Sequence, residues 1–428
     1  MNPLSAPIGT KDILAPESGY LELLIHHFQK IVRRAGYRLV VTPVFEDVQL
    51  FTRGIGSDNE LVTKEMYEFL DKSGRNMALK PEGTASVIRA FIQHHLSEES
   101  KVFKAWYCTP VFRYERPQAG RLRQHHQLGL EALGTADPEL DIEVVGLAAS
   151  YLGSLGLKNY TLNINSMGDL ECRPGFIKLL NRFLDHHADE LCNQHCKRYR
   201  LNPLRVFDCK KQECVDVMST APKLKEHLCD KCGEHFATVT QGLTDLGFVY
   251  EISDKLVRGF DYYTRTTFEF NSNALNTAQN AIGGGGRYDG LVEALGGQST
   301  PGVGFGIGLE RLLLASSAEG IWSDTTPSAF SSVDIFVIGL ESGSDKAVRE
   351  VVFSLRNAGY QVDQAFGSRS LKAQLRTADR SGALVALIIG PKEVEESSVT
   401  LKPLRSSESQ SQLPREKLLE KMSEIYSK

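Results

Sequence analysis

The stretch Gly302-Val303-Gly304-Phe305-Gly306-Ile307-Gly308 places a glycine at every second position of one short segment. On a β-strand all four glycines point to the same face, which then carries no side chains of its own. A strand tolerates interior glycines where a flat ligand or another backbone must approach closely. The next residues, Leu309-Glu310-Arg311, open an apolar run that predicts a helix and leaves Arg311 available for a phosphate. The stretch predicts the floor of a nucleotide site, with a tightly packed core strand as the equally weighted alternative.

A second segment, upstream of the glycine strand, predicts a β-hairpin with a basic loop. Phe112-Arg113-Tyr114-Glu115 is followed by a polar loop and then by a strand-like run at residues 124–133. Arg113 and Glu115 alternate on one face of the first strand. On the second strand, one face carries Gln127, Gly129 and Glu131. The loop between the strands contains Arg116, Arg121 and Arg123. Because buried charge is costly without partners, a solvated surface hairpin is the alternative that these residues leave open.

These segments resemble the three motifs of the class II aminoacyl-tRNA synthetases, and they occur in the expected order. Residues 112–115 are similar to motif 2, and residues 302–311 are similar to motif 3. A helical run at residues 21–35, followed by Gly36-Tyr37-Arg38 and a strand reaching Pro43, resembles motif 1, whose proline lies at the dimer interface of that class. The resemblance implies an antiparallel-sheet catalytic core and a homodimer.

Two further peptides resemble the signature peptides of the histidyl-tRNA synthetase family, in its bacterial type. They are Arg258-Gly-Phe-Asp-Tyr-Tyr-Thr-Arg-Thr266 and Gly284-Gly-Gly-Arg-Tyr-Asp-Gly290. The resemblance extends from residue 9 to the end of the chain. It implies that the chain is an enzyme that activates L-histidine with ATP to histidyl-adenylate. The histidine would then pass to the 3′ end of tRNA(His), with release of AMP and pyrophosphate.

The expected fold class is α+β, with a class II antiparallel-sheet catalytic core at residues 1–322. A mainly helical insertion at residues 168–246 separates two β-rich stretches of this core. A linker rich in Ser, Thr and Pro, at residues 316–332, precedes a C-terminal domain at residues 333–428. Strand-like and helix-like runs alternate in that domain, which predicts an α/β fold. The domain resembles the anticodon-binding domain of the same family.

Composition and charge restrict the class of protein more loosely. The formal net charge of -4 argues against a uniformly basic nucleic-acid binder, so that any RNA contact would depend on local clusters of arginine. Residues 1–5 show no charged segment leading into an apolar stretch, and the most apolar run, residues 383–390, is too short to span a bilayer. We therefore expect a cytoplasmic protein without a membrane contact.

The family resemblance implies a set of residues for ATP. Phosphoryl transfer is catalysed mainly by alignment and by positive charge placed where negative charge develops, which calls for arginines and Mg²⁺. By motif position, the implied catalytic residues are Arg113 and Arg258 at the α-phosphate and Arg311 with Arg121 at the β- and γ-phosphates. Glu115 would accept a hydrogen bond from the adenine amino group, and the strand glycines Gly304 and Gly306 would lie beneath the nucleotide.

The resemblance also implies a histidine pocket. Glu82, Thr84 and Gln127 would hold the α-amino group of the substrate. Glu131 would accept a hydrogen bond from one imidazole nitrogen and Tyr263 would pair with the other, while Tyr262 and Tyr288 would complete the pocket. A site built from such hydrogen bonds needs no editing domain, because analogues that lack them leave its polar groups unpaired.

For tRNA the resemblance implies two contacts. Gln118, Arg121 and Arg123 of the motif 2 loop would meet the acceptor end, where histidine tRNAs carry an extra 5′ guanylate. The domain after residue 332 would meet the anticodon.

Cysteines and histidines supply further candidate metal ligands. Cys192 and Cys196, together with Cys229 and Cys232, form a possible zinc set, but only the second pair has the two-residue spacing of a zinc knuckle. Free thiols are the favoured interpretation, and any zinc would stabilise the insertion without touching the chemistry. The adjacent histidines His125 and His126 are expected to be structural or solvent-facing.

Two other functions remain open alongside the enzyme. One is a catalytically silent paralogue of the regulatory-subunit type, which is expected to lose active-site residues and the C-terminal domain. The other is a sensor of uncharged tRNA, a class of protein that usually carries additional domains. Retention of Arg113, Arg258 and Arg311 favours the enzyme.

Overall fold

The structure is a computed structural model of the chain. It describes residues 4–98, 100–118, 120–193, 196, 199–200, 202–257, 262–275, 280–322, 333–340, 343–367 and 370–426. The chain divides into two compact units, the first formed by residues 1–13 and 21–323 and the second by residues 14–20 and 324–428. The predicted insertion belongs to the first unit.

Two sheets organise the first unit. Its strands are β1 (Arg38–Leu39), β2 (Phe45–Asp47), β3 (Tyr67–Leu70), β4 (Asn76–Leu79), β5 (Phe103–Phe112), β6 (Gln124–Leu133), β7 (Tyr160–Ser166), β8 (Glu251–Ile252), β9 (Thr264–Ser272), β10 (Ala281–Arg287) and β11 (Gly302–Gly308). Eight of them form one sheet in the order β1-β5-β6-β11-β10-β9-β7-β8, while β2, β4 and β3 form a small separate sheet. The large sheet is antiparallel except at its edge pairs β1/β5 and β7/β8, so the antiparallel core predicted from the resemblance is confirmed.

The first unit also contains helices, some of which pack against the large sheet. They are α1 (Glu17–Arg34), α2 (Val48–Ile55), α3 (Thr84–Gln93), α4 (Pro138–Ser154), α5 (Arg173–His186), α6 (Gln212–Ser219), α7 (Asp230–Asp245), α8 (Leu291–Ala294) and α9 (Leu309–Ala318). Phe28 of α1 is fully buried, and its ring lies 5.9 Å from Trp106 of β5 and 6.0 Å from Phe305 of β11 between centroids. Phe305 thus anchors the glycine strand from the side opposite its glycines.

The predicted hairpin is present, but its first strand ends earlier than expected. β5 and β6 pair from Phe103 with Leu133 to Phe112 with Gln124. Arg113 and Glu115 therefore lie just beyond the strand, and the prediction that they alternate on a strand face is wrong. A turn takes over because the backbone N–H of Glu115 donates to the carbonyl oxygen of Arg113 at 2.8 Å. Beyond the turn, the side chains of Arg113 and Glu115 both line the cavity described below.

The insertion lies between β7 and β8 and contains α5, α6 and α7. Its own small core includes Phe176, Leu180 and Val206, together with several buried cysteines. Helix α7 packs against α4 so closely that a Cβ added at Gly242 would lie 2.3 Å from Ile142. The insertion is thus mainly helical, and its last helix is part of the packing of the first unit.

The second unit is a mixed α/β sandwich. Its strands are β12 (Ile335–Gly339), β13 (Val362–Gln364), β14 (Val385–Ile389), β15 (Ser398–Pro403) and β16 (Ser411–Pro414), in the sheet order β13-β12-β14-β15-β16. Its helices are α10 (Asp345–Asn357), α11 (Leu371–Arg380), α12 (Pro391–Glu395) and α13 (Leu418–Ile425). Alternate residues of β12 enter two cores, Ile335 on one face and Phe336 on the other, as expected for a sheet covered by helices on both sides. Over the described residues, no helix combines the length and the apolar composition that crossing a membrane requires.

Candidate active site

The space above the glycine strand is filled by polar side chains from its neighbours. In the pairing of β11 with β6, Gly304 lies opposite Glu131. A Cβ added at Gly304 would lie 1.9 Å from Oε2 of Glu131, and one at Gly306 would lie 2.1 Å from Nε2 of Gln127. One at Gly302 would lie 2.4 Å from the ring of Tyr288. The sequence suggested a bare face. In the structure polar side chains of neighbouring segments cover it, because the glycines leave room for them.

A cavity of about 1230 Å³ opens over this strand. Predicted site residues that line it are Glu82, Thr84, Arg113, Glu115, Arg121, Gln127, Tyr262, Tyr263, Tyr288, Gly304, Gly306 and Arg311. Glu131 lies beneath its floor and is fully buried, whereas Gln118 and Arg123 lie on the adjoining hairpin loop. Arg258 lies outside the described residues, so its role stays a prediction.

Glu131 is the centre of one end of the cavity. Its carboxylate accepts hydrogen bonds from Thr84 Oγ1 at 2.7 Å and from the hydroxyl of Tyr107 at 3.2 Å, and a third comes from the hydroxyl of Tyr288. Burial, reinforced by the neighbouring carboxylate of Glu82, raises the pKa of Glu131 to about 8. This end therefore offers a buried acceptor that three hydroxyl groups hold in place.

The segment before α3 supplies a second carboxylate at the same end. Both oxygens of Glu82 accept backbone N–H groups, from Thr84 at 2.6 Å and from Ala85 at 2.8 Å. Gln127 Oε1 accepts the N–H of Gly83 at 3.0 Å, which fixes this segment to β6. Burial raises the pKa of Glu82, although the nearby Arg113 opposes the shift. The group predicted to hold an ammonium is thus rigidly positioned before any ligand arrives.

Tyr107 belongs to this end and was not identified from the sequence. It lies on β5 opposite Gly129, and its ring occupies the space that a side chain at Gly129 or Gly83 would need. A Cβ would approach the ring to 2.0 Å at Gly129 and to 2.3 Å at Gly83. The signal was present as a tyrosine paired across the hairpin with a glycine, but it requires the register of the two strands.

Three arginines converge at the other end of the cavity. Arg311, at the start of α9, donates to the carbonyl oxygens of Gly120 and Ala281 at 3.0 Å and 2.8 Å. Burial, together with Arg113 and Arg121, lowers the pKa of Arg311 below its usual range. Guanidinium groups gathered in this way repel one another, so this end is built to receive an anion.

Glu115 and Arg121, predicted to contact opposite ends of ATP, bind each other in the structure. Arg121 Nε donates to the carboxylate of Glu115, and its guanidinium also lies 3.8 Å from Glu65. Arg123 stacks over the ring of Tyr114 at 4.0 Å and donates to the carbonyl oxygen of Glu115. A nucleotide that uses both Glu115 and Arg121 must therefore separate this ion pair.

The adjacent histidines have different environments. His125 is one of the residues that line the cavity. Burial, with Arg113 and Arg311 nearby, lowers the pKa of His125 to about 3, which keeps its ring neutral. His126 Nδ1 lies 2.8 Å from a carboxylate oxygen of Glu310, which raises the pKa of His126.

The second signature peptide contributes a structural ion pair. Arg287 is fully buried, and its Nε lies 3.0 Å from Oδ2 of Asp141 on α4. Asp141 also accepts from His235 of α7 at 3.2 Å. Removing one partner of such a buried group leaves an uncompensated charge, at a cost of about 3–5 kcal/mol. Arg287 thus ties the sheet to α4 and, through Asp141, to the insertion.

The four cysteines considered as one zinc set do not meet. Cys192 and Cys196 lie with Cys209 and Cys214, whereas Cys229 and Cys232 lie with Asp169 and Cys172. The predicted grouping is therefore wrong, because it combined the two best sequence spacings and ignored partners that are distant in the chain.

Comparisons with known proteins agree with this geometry. A sequence profile described as Histidyl-tRNA synthetase matches residues 9–170 and 212–312, and one described as Anticodon binding domain matches residues 334–425. A histidine–tRNA ligase of Moorella thermoacetica is 44% identical over 410 residues, which cover 96% of either chain. One of Halothermothrix orenii is 42% identical, with 99% of either chain covered. Among solved structures, the apo histidyl-tRNA synthetase of S. aureus superposes with a TM-score of 0.81 at 32% identity, over 98% of this chain and 99% of that one.

Proposed function

Because the chain belongs to the histidyl-tRNA synthetase family, we propose that the cavity over β11 is the site where it joins histidine to AMP and then to tRNA. Its activity is that of an ATP-dependent histidine–tRNA ligase. The observation that carries the site assignment is the division of one cavity into two chemically different ends. The buried acceptor Glu131 lies beneath the floor at one end, and three arginines, Arg113, Arg121 and Arg311, line the cavity.

The first step needs the two ends at once. The carboxylate of histidine attacks the α-phosphorus of ATP, the bond to the bridging oxygen breaks, and pyrophosphate leaves with the electron pair. Negative charge accumulates on the phosphate oxygens, which is the charge that Arg113 and Arg311 are placed to offset. Arg121 would reach the outer phosphates once it leaves Glu115. In the second step a hydroxyl of the terminal ribose of tRNA attacks the activated carbonyl, and AMP leaves.

The Glu131 end selects the amino acid. A neutral imidazole has one N–H donor and one acceptor nitrogen, so it needs a pocket that accepts on one side and donates on the other. Glu131 supplies the acceptor, and the hydroxyl of Tyr263 supplies the donor. Glu82, Thr84 and Gln127 surround the position of the α-amino group. Amino acids without an imidazole would leave the buried Glu131 without its ligand partner. The lost hydrogen bond should make the enzyme discriminate against them by roughly 10⁴-fold or more.

The chemistry also calls for Mg²⁺, which prefers carboxylate and phosphate oxygens. The residues present fit this ion, because the carboxylates of Glu269 and Glu310 line the cavity. These groups would hold Mg²⁺ together with the phosphates of ATP, and the ion would reduce the charge that the arginines must offset.

For tRNA we propose the two contacts that the motifs imply. The hairpin loop with Gln118, Arg121 and Arg123 adjoins the arginine end of the cavity, which suits the acceptor strand. The second unit is matched by the anticodon-binding profile over residues 334–425, which supports its contact with the anticodon of tRNA(His). Since this reaction serves translation, we propose the cytoplasm as its compartment.

A homodimer is proposed from motif 1 and from an apolar row beside it. Leu39, Val41, Val44 and Phe45 are exposed by 50%, 82%, 39% and 50%. Contiguous exposed apolar side chains of this kind are typical of a contact surface. A monomeric mass in analytical ultracentrifugation, with full activity, would contradict the dimer.

The test of the proposed function is histidine-dependent exchange of labelled pyrophosphate into ATP by the purified chain. We expect exchange with L-histidine and only background exchange with the other amino acids. Exchange that is independent of histidine, or absent from folded protein, would contradict the proposal.

A further inference from the structure

The insertion contains two groups of four metal-ligating side chains, neither of which takes part in the reaction above. The first group, here called the four-cysteine cluster, consists of Cys192, Cys196, Cys209 and Cys214. The second group, here called the Asp–Cys cluster, consists of Asp169, Cys172, Cys229 and Cys232. In each cluster one atom from every residue lies within 4.8 Å of the other three.

In each cluster one sulfur–sulfur distance matches that of a tetrahedral site. Four ligands at about 2.3 Å from a zinc ion lie about 3.8 Å from one another. The Sγ atoms of Cys192 and Cys209 are 3.9 Å apart, and so are those of Cys172 and Cys232. None of the eight cysteines, all of which are among the described residues, forms a disulfide. A disulfide would need about 2.05 Å between two sulfurs and would pair them rather than gather four.

The chain around the Asp–Cys cluster has the form of two knuckles. Asp169 and Cys172 have the same two-residue spacing as Cys229 and Cys232. Gly168 precedes the first knuckle at a φ of 61°, and a Cβ there would lie 2.8 Å from Cys172 Sγ. Glycine is therefore required for both the backbone angle and the room that the thiol occupies.

The carboxylate of Asp169 is already oriented as a ligand. Its Oδ1 accepts the backbone N–H groups of Glu171 and Cys172 at 3.0 Å and 2.9 Å. Its Oδ2 lies 3.9 Å from Cys229 Sγ. The backbone N–H of Asp169 donates to Cys172 Sγ at 3.4 Å, and that of Cys192 donates to Cys214 Sγ at 3.3 Å. Hydrogen bonds of this kind orient ligands and offset the charge of thiolates around a metal.

We propose that each cluster binds one zinc ion, the first through four cysteine sulfurs and the second through three cysteine sulfurs and one carboxylate oxygen of Asp169. Both ligand sets are within the chemistry of structural zinc, which takes four ligands and leaves no open position. Arg265, whose guanidinium lies 3.9 Å from Asp169 Oδ2, reduces the net negative charge of the second site.

The Asp–Cys site holds the segment beside the histidine pocket. Arg173, next to Cys172, donates to the carbonyl oxygens of Met167 and Tyr263. The backbone of Arg265 exchanges two hydrogen bonds with Met167 and Gly168, each at 2.6 Å. A metal that fixes residues 167–173 therefore also fixes the start of β9 and Tyr263, which directly precedes it. This site acts on the pocket by positioning Tyr263, in contrast to the prediction that zinc would leave the chemistry untouched.

The test is the zinc content of the full-length protein, purified without chelator from cells grown with zinc. We expect two zinc ions per chain in the wild type, one in Cys214→Ser, one in Cys232→Ser, and none in the double variant. Cys108→Ser is the matched control, because Cys108 belongs to neither cluster, and it should keep both ions. Less than half an ion per wild-type chain, or iron in place of zinc, would overturn the proposal. If the wild-type chain binds only one zinc ion, the proposal fails for the cluster whose serine variant still binds that ion.

One measurement keeps the proposal testable if a variant does not fold, and a second tests the positioning role on folded variants. X-ray absorption at the zinc edge of the wild-type protein should give between three and four sulfur ligands per ion, with a lighter atom making up the remainder. A shell made only of nitrogen and oxygen would contradict it. For the positioning role, Cys232→Ser should raise KM for histidine several-fold more than KM for ATP, whereas Cys214→Ser should not separate the two constants. Equal changes in both variants would contradict the link to Tyr263.

Discussion

At the scale of single residues, burial favours the protonated form of one carboxyl group in the site, that of Glu131. Burial raises the pKa of Glu131 to about 8, above its ordinary value of 4.5. Between these two values the folded state binds more protons than the unfolded state, so stability falls as pH rises through this window. A ligand that donates a hydrogen bond to the ionised carboxylate opposes this trend, because it favours loss of the proton. Binding of histidine should therefore be coupled to ionisation of Glu131.

The variant Glu131→Gln tests this coupling. We expect kcat/KM for histidine to fall roughly 100-fold or more, because the amide is a weaker acceptor for the imidazole N–H. In the wild type KM for histidine should decrease as pH rises from about 6 to about 8, because burial raises the pKa of Glu131 into this range and the ionised carboxylate is the better acceptor. In Glu131→Gln the imidazole of the substrate still titrates, whereas the side chain at position 131 no longer does. An identical pH profile for both proteins would contradict the role of Glu131.

A second prediction concerns Arg258, which is assigned through its signature peptide alone. The change Arg258→Ala should reduce pyrophosphate exchange roughly 100-fold or more, because a partner of the transition-state charge is lost. Arg258→Lys should recover only part of the loss, since lysine lacks the planar fork. Thermal melting serves as the control and should be unchanged. Exchange by Arg258→Ala within tenfold of the wild type would remove Arg258 from the site.

Most of the proposed site residues could be predicted from the sequence, but few of the contacts between their side chains could. Glu131 and Arg311 were predicted because their motif positions are specific. Tyr107 and His125 were missed because their contribution depends on which residue each faces across the hairpin or in the cavity. The ion pair of Glu115 with Arg121 was missed for the same reason, since a turn after β5 determines it.

At the scale of elements, β11 determines the shape of the proposed histidine pocket. Its glycines are required because Glu131, Gln127 and Tyr288 fill the space above them. A single methyl group on this strand should therefore displace a specific partner rather than weaken the sheet as a whole.

Gly304→Ala and Gly308→Ala form a matched pair on this strand. A Cβ at Gly304 would lie 1.9 Å from Glu131 Oε2, whereas one at Gly308 would meet its nearest atom, in Arg311, at 3.8 Å. Gly304→Ala should raise KM for histidine by roughly 100-fold, because Glu131 must move, and it should cost about 1–3 kcal/mol of stability. Gly308→Ala should keep KM for histidine within about twofold, since its contact is ordinary. Steady-state kinetics and denaturant unfolding measure both, and equal effects on KM would contradict the packing role of Gly304.

The sequence predicted the elements better than the metal-ligating clusters. Alternation and turn residues were sufficient for the hairpin and for β12, because those signals are local. The Asp–Cys cluster was not predicted, because Asp169 and Cys172 are about sixty residues from Cys229 in the chain and an aspartate replaces the first thiol of a knuckle. Only the fold brings the two knuckles together.

At the scale of the whole molecule, the two units have separable tasks. The first unit contains the complete cavity, and the second is matched by the anticodon-binding profile. A chain that ends at residue 332 should keep histidine-dependent pyrophosphate exchange, while its KM for tRNA should rise at least about tenfold, the equivalent of about 1.4 kcal/mol. The melting temperature of the shortened chain is the control. Equal losses in both assays would mean that the second unit is required for the first to assemble.

We propose that one cavity holds histidine at Glu131 and the phosphates of ATP at the arginines. The most direct measurement is a crystal structure of the full chain with a non-hydrolysable analogue of histidyl-adenylate. The account predicts an imidazole nitrogen within hydrogen-bond distance of Glu131, with the group that replaces the α-phosphate contacting Arg113. An analogue bound outside this cavity, or bound with its imidazole turned away from Glu131, would contradict the account.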